Sequence, residues 1–488
     1  MSTYRLFVAI VVLMTAGTAV AGTYYIAPDG SDSKGDGSAN KPWASLKEAV
    51  AAVPDDGSTI IVRDGLYVGN QAILRSFKKL CTIKAEHPYA ARFRSPDATN
   101  RVIFCYGGAN IKFEGLEVFG SGGTDNGYLI HIATRETHDI TFENCIIHDS
   151  YNNDLVKIND LCRNIVFRGC LLFNVPNPGD EVFDINTVTD VVVEDCIIMS
   201  DKAGSGREND NNNQSLIVIK NSTKDDINKE ICKRITLRRN IFCNWEGRPG
   251  ESYVLIGEDS KDFWEAQDIM VENNLFLFNT TNRSAGAITL KCHVRNITVR
   301  ANTFCGTLNG KTSYAMRCSE EKAKLAMENI YIYNNIFTDP AGKMPRLIYG
   351  EREFVKKDLE LKNNLYWNGG KKFPFNDGAL FEIPKDDPAA VTADPMLADP
   401  AKMTIPRWDV KGRKFTSGQT TIRGEFERLV KTHAALPPTS PAVGKGDPKH
   451  MPADDILGNK RGTRPDIGAC QTTQPASQPA KIATTGVN

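Results

Sequence analysis

Apolar and polar residues alternate in a phrase that returns nine times along the chain: apolar-x-apolar-x-polar-[Cys/Asn]-x-apolar. It reads HDITFENCIIHDS from His138, RNIVFRGCLLFNV from Arg163, TDVVVEDCIIMSD from Thr189 and KRITLRRNIFCNW from Lys233. It continues as QDIMVENNLFLFN from Gln267, RNITVRANTFCGT from Arg295, ENIYIYNNIFTDP from Glu328 and KDLELKNNLYWNG from Lys357. ANIKFEGLEVFG from Ala109 opens the series. The first apolar anchors are Ile111, Ile140, Ile165, Val191, Ile235, Ile269, Ile297, Ile330 and Leu359, with spacings of 25 to 44 residues. A period of two predicts short strands, and a repeat of this length predicts the stacked coils of a solenoid. Five residues after each anchor stand Leu116, Cys145, Cys170, Cys196, Asn240, Asn274, Asn302, Asn335 and Asn364. Strands stack roughly 4.8 Å apart, so these residues would form one column. Asn suits it, because its amide bonds to backbone and to the next Asn and tolerates left-handed turns.

A second series of strands lies between the copies: YLIHIAT, DLVKIND, EVFDINT, SLIVIKN, SYVLIGED, GAITLK, YAMRCSE, RLIYGER and ALFEIP. Alternation sends Ile130, Ile132, Val156, Ile158, Phe183, Ile185, Ile217, Ile219, Ile288 and Leu290 inward. The remaining positions face solvent in two columns. One is His131, Lys157, Asp184, Val218, Leu255, Thr289, Arg317 and Tyr349; the other is Ala133, Asn159, Asn186, Lys220, Gly257, Lys291, Ser319 and Glu351. The register of SYVLIGED is open by one residue at Leu255 and Gly257. Long connections at 201–214 and 221–230 would stand over this face, making a groove shaped for a linear polymer.

These repeats resemble those of the right-handed parallel β-helix proteins of the pectate-lyase-like superfamily. Both ends share the likeness: TYYIAPDGSDSKGDGSANKPWASLKEAV (Thr23 to Val50) is similar to the opening segment of secreted β-helix proteins. SPAVGKGDP and DILGNKRGTRPDIGAC (Ser440 to Cys470) are similar to their closing segment. The resemblance implies an all-β chain: a right-handed parallel β-helix with a short N-terminal capping helix and a small C-terminal cap. Capping is required because terminal coils otherwise expose core and strand edges. Ser45 or Trp43 should begin the helix, with Leu46, Ala49, Val50 and Val53 as its apolar positions. The expected divisions are a signal peptide at 1–21, the β-helix at 22–395, the cap at 396–470 and a disordered tail at 471–488.

Composition narrows the partners. Fifty-nine basic and 59 acidic side chains balance, and no long basic tract argues for nucleic acid. Arg5, the apolar run Leu6 to Ala16 and Ala19-Val20-Ala21 read as a secretory signal, too short to span a membrane comfortably. A secreted, periplasmic or extracellular monomer is expected, with no membrane span. Twelve cysteines would invite a disulfide framework. The column of Cys145, Cys170 and Cys196 argues instead for buried apolar filler, with Cys81 and Cys105 left open as a pair.

Chemistry gathers in the groove. His131, Lys157, Asn159, Asp184, Asn186 and Lys220 fall on four successive coils, with Asp149, Asp154, Asp180 and Glu181 just upstream of their strands. Removing the proton beside a sugar carboxylate needs a group that neutralises the carboxylate and a base. β-Helix pectate, alginate and chondroitin lyases are similar in pairing acidic Ca²⁺ ligands with a basic residue a coil or two away. SLIVIKNS around Lys220 resembles the strand carrying the catalytic Lys of the alginate and chondroitin lyases, and ITLK at Lys291 loosely resembles their Arg strand. That family's Glu pair before the Lys is absent here, and SYVLIGED stands where its Arg strand should follow. Lys157 or His131 could therefore serve as base in place of Lys220. Asn159, Asn186 and His131 would steady the carboxylate, and Asp154, Asp180, Glu181 and Asp184 are the candidate Ca²⁺ ligands. Lys291 and Arg317 would hold further sugar carboxylates or sulfates. The expected activity is a lyase cleaving an acidic, uronate-containing polysaccharide by β-elimination. A β-helix glycoside hydrolase using Asp154, Asp180, Glu181 and Asp184 is the alternative, as is a glycan-binding protein without catalysis.

Overall fold

The computed structural model describes residues 21–94, 101–120, 127–151, 153–175, 180–208, 213, 215–223, 232–277, 286–291, 293–306, 308, 310–319, 327–350, 358–376 and 378–472. All but the last residue of the expected signal segment, the tail from 473, and Glu351 lie outside the described residues. Three parallel sheets of 12, 10 and 11 strands wrap one apolar core. Each coil visits them in turn: a ladder strand such as His138–Glu143, a three-residue strand such as Ile146–His148, then a groove strand such as Val156–Ile158. The chain then returns to the ladder sheet at Arg163–Arg168, one coil further on. This is the parallel β-helix that the repeat implies.

The nine anchors pair in unbroken register from Ile111 to Leu359. Beside them runs the asparagine ladder. Asn240, Asn274, Asn302 and Asn335 each donate a backbone N–H, at 2.9 Å, and a side-chain N–H to the Oδ1 of the next Asn. The left-handed backbone falls one residue earlier, at Asn273 (φ 54°), Asn334 (φ 57°) and Asn363 (φ 59°). Two adjacent positions thus divide the work: one supplies the turn and the next supplies the amide. Further inside, Phe242, Phe276, Phe304, Phe337 and Tyr366 stack with centroids 4.7–5.5 Å apart. Cys145, Cys170 and Cys196 fill the ladder column above the asparagines, and each of the eleven described cysteines, Cys81 and Cys105 included, is buried and unbridged.

Helix α1 (Leu46–Ala52) starts at Ser45, whose side chain accepts the Glu48 N–H, and buries Leu46, Ala49 and Val50. The far end of the ladder closes on Asp387, which accepts Asn363 N, Asn364 N, Asn364 Nδ2 and the Tyr366 hydroxyl at 2.9–3.1 Å. The chain then turns back along the outside of the three-residue strands. Helix α2 (Ile422–His433), capped by Thr421, buries Phe426, Leu429 and Val430 in a second cluster with Ile146, Leu171, Ile197 and Ile241. No helix among the described residues is long and apolar enough to cross a membrane.

Candidate active site

The third sheet forms the floor of the groove. His131 pairs with Lys157, Lys157 with Asp184, and Asp184 with Val218, which is followed by Leu255, Thr289, Arg317 and Tyr349. In the second column Asn186 pairs with Lys220, and Lys291 with Ser319. The open register at SYVLIGED is resolved with Leu255 in its column. The face is more sheltered than alternation alone implies: Asp184 and Thr289 are 4% exposed and Val218 is 0%. Lys157 covers Asp184, and the Tyr314 hydroxyl meets Thr289. Tyr128 lies beside His131 and Lys157, and Asn213 reaches from the 201–214 connection to donate to the Asp180 carbonyl at 3.3 Å.

Asp154, Asp180 and Glu181 precede their strands and converge, with one ligand oxygen from each lying within 4.8 Å of the others. Asp154 Oδ1 also accepts the Glu181 N–H at 2.9 Å, which locks two coils together at this point. Burial pushes the Asp180 carboxyl up to about 7, helped by Asp154. Burial likewise raises Glu181 well above its ordinary value, helped by the charges of Asp154 and Glu258, and burial raises Asp154 against the pull of Lys157. Asp184 lies on the floor beside this group, with Oδ2 bound to Lys157 Nζ and the buried Oδ1 lacking a hydrogen-bond partner among the described residues. Converging desolvated carboxylates, with the unpartnered Asp184 Oδ1 nearby, make a hard donor set that fits Ca²⁺.

Two lysines flank these acids differently. Lys157 is inside the cluster, bonded to Asp184 and 4.0 Å from Asp154, and burial lowers its pKa. Lys220 stands one coil beyond, bonded to Glu258 and 3.7 Å from Asp259. Burial alone would lower Lys220, but Glu258 outweighs it and holds the ammonium above its usual range. His131 is the neutral member. Its Nδ1 accepts from Arg101 Nε and the Tyr106 hydroxyl, both at 2.7 Å, leaving Nε2–H to donate to Asn159 Oδ1 at 2.9 Å. Burial drives its pKa to about 4. Asn186 bonds Ser222, so both groove amides are held by protein partners.

Not every expected residue joins this centre. Lys291 and Arg317 lie two and three coils beyond Lys220, in a cleft of about 210 Å³ shared with Arg248, Glu251, Leu255, Thr289 and Ser319. Asp149 belongs to the opposite side, where it bonds His148, Asn174 and Arg207. The sequence reading missed Glu258, Asp259, Tyr106, Tyr128 and Arg101. Glu258 was hidden because Gly257 takes a left-handed turn (φ 78°) at the end of its strand, so the next residue reaches Lys220.

Sheets, ladder and groove together define the pectate-lyase-like, right-handed parallel β-helix fold. Among solved structures the chain is similar to pectate lyase Pel9A, with 15% identity and a TM-score of 0.51 over 94% of this chain and 98% of that one. It is also similar to a rhamnogalacturonan lyase, at 16% identity and TM-score 0.46 over 70% of this chain and 87% of that one. A mannuronic acid specific family 6 lyase matches at 14% identity and TM-score 0.47, over 71% of this chain and 81% of that one. The likeness to Pel9A shows the fold alone and not an activity. No family model and no curated protein sequence matches the chain.

Proposed function

We propose that this chain is an exported polysaccharide lyase that cleaves a uronate-containing polymer by β-elimination, with Ca²⁺ held by Asp154, Asp180, Glu181 and Asp184. The observation that carries the reading is the nest of buried carboxylates set one coil from Lys220 on a groove floor. A hydrolase needs two carboxylates facing each other across the bond. Three packed together out of water, with Asp154 opposing the charge of Asp180 and Glu181, describe a cation site instead.

Bound there, Ca²⁺ would supply positive charge to the substrate carboxylate and so acidify the carbon beside it. Lys220 as neutral amine takes the proton from that carbon. The C–H electrons become the new C=C bond, the glycosidic C–O bond breaks, and the departing oxygen takes a proton from solvent while the Lys220 ammonium returns one to it, so no water is consumed. Lys157 is less suited to the base role. It sits among the proposed cation ligands, bonded to Asp184 and 4.0 Å from Asp154. A bound Ca²⁺ would compete with it for the same oxygens, whereas Lys220, held by Glu258, stands outside them.

The test is a panel of pectate, alginate, chondroitin, heparin and hyaluronan, with Ca²⁺ or EDTA, followed by near-ultraviolet absorbance and reducing-sugar assay. Absorbance growth supports elimination. Reducing ends without absorbance would move the reading to hydrolysis, and neither signal on any polymer would remove its support. With a substrate found, Lys220→Ala should lower kcat by about 10²–10⁴-fold, while Lys157→Met keeps most of it at saturating Ca²⁺.

A further inference from the structure

The turn that follows strand Ser252–Ile256 is built around a buried carboxylate. Glu265, 0% exposed, accepts the backbone N–H groups of Glu258 at 2.7 Å and of Asp259 and Lys261 at 2.8 Å. Its own N–H is bound to the His293 carbonyl at 2.7 Å. Three amides converging on one charged acceptor give a turn of fixed shape. Gly257 makes the corner passable: its φ is +78°, and a Cβ there would sit 1.9 Å from the Lys291 carbonyl. The turn aims both acidic side chains back at Lys220, Glu258 in direct contact and Asp259 at 3.7 Å. Ser222 Oγ donates to Asp259 at 2.6 Å and accepts from Asn186 Nδ2 at 2.9 Å, joining the turn to the groove column beside Lys220.

We infer that Glu258 is the positioning residue of Lys220, and that Glu265 fixes where Glu258 stands. The inference rests on the lyase reading, in which Lys220 is the base. The charged groups facing Lys220 are Glu258 and Asp259 from this turn, and Glu181, Asp154 and Lys157 from the preceding coils. Of these, Glu258 alone bonds Nζ among the described contacts. A carboxylate at that place favours the ammonium formed when the amine takes a proton from carbon. The cost is that the working, neutral amine appears only at alkaline pH. The site therefore exchanges activity at neutral pH for a stronger base.

The experiment uses Glu258→Gln and Glu258→Asp in the full chain, each checked for a wild-type melting profile. Two readouts follow: the pH–rate profile on the substrate found, and the titration of Lys220 by NMR after ¹³C reductive methylation, assigned with Lys220→Arg. Losing the partner charge should move both the rising limb of the rate and the Lys220 titration down by about one pH unit, with Glu258→Asp between wild type and Glu258→Gln. A uniform loss of rate at every pH, with an unmoved Lys220 titration, would overturn the inference. The two ideas fail separately. If no polymer is cleaved, the NMR titration still decides whether Glu258 governs Lys220; if a polymer is cleaved and neither limb nor titration moves, only the role of Glu258 falls.

Discussion

Replacing Asn302 by Ala removes one rung from the middle of the asparagine ladder. Its Oδ1 accepts Asn274 N and Asn274 Nδ2, and its Nδ2 donates to the Val271 carbonyl at 2.9 Å and to Asn335 Oδ1 at 3.0 Å. Asn302 and Asn274 are both 0% exposed, so water cannot replace these bonds without opening the coil. Asn274 Nδ2 keeps the Leu237 carbonyl, but the Asn274 N–H and the Val271 carbonyl lose the bonds made by the deleted amide. At about 1–3 kcal/mol for each buried polar group left unmade, the expected destabilisation is about 2–6 kcal/mol. Urea unfolding at unchanged slope measures it. Thr298→Ala, on the outer side of the strand that leads into Asn302, serves as the control and should cost less than about 1 kcal/mol. A loss below about 0.5 kcal/mol at Asn302 would refute the claim that the ladder bonds are obligatory.

His148 predicts a pH effect on the opposite side of the helix. Burial pulls its pKa down, but hydrogen bonds to Asp149 and Glu117 outweigh that and hold it at about 9. Since this lies above the unfolded value, the stabilisation is complete below about pH 6.5 and disappears as pH rises through 9, about 3 kcal/mol in all; His148→Gln should abolish that part of a pH–stability curve. Ca²⁺ at 100 times its dissociation constant should add about 2.7 kcal/mol of stability, seen as a higher melting temperature that EDTA reverses and Asp154→Ala eliminates. Phe304→Ala, which interrupts the ring stack between Phe276 and Phe337, should cost about 3–5 kcal/mol in the same urea assay.

What could be read from the sequence was whatever repeats locally. The anchors from Ile111 to Leu359 and the column from Asn240 to Asn364 are spaced by covalent geometry within each coil, so counting residues recovers their register. Counting also placed His131, Lys157 and Asp184 in one row, and Asn186 beside Lys220. It failed where a turn departs from the strand period, as Gly257 does in handing Glu258 to Lys220. Asp149 was misplaced for a related reason: it follows a three-residue strand on another wall, and proximity in sequence to Asp154 does not carry round the bend. Asp180 and Glu181 were legible as acids near a strand, but their mutual approach depends on Asp154 Oδ1 gripping the Glu181 N–H, a contact between coils.

The returning C-terminal segment has a consequence for how this protein can change length. Its side chains and backbone bond to residues on widely separated coils: Arg407 to Asp201, Asp454 to Arg239, Arg461 to Asn273, Asp447 to Asn334 and Lys445 to Asn363. A bare solenoid can gain or lose a unit because each coil meets only its neighbours. Here the segment is a ruler laid against the stack, with marks cut for particular coils. Inserting or deleting one coil between Asp201 and Asn363 would leave the marks on one side of the change misaligned by a full strand step, about 4.8 Å. The number of coils is therefore coupled to a stretch of chain that contains none of them.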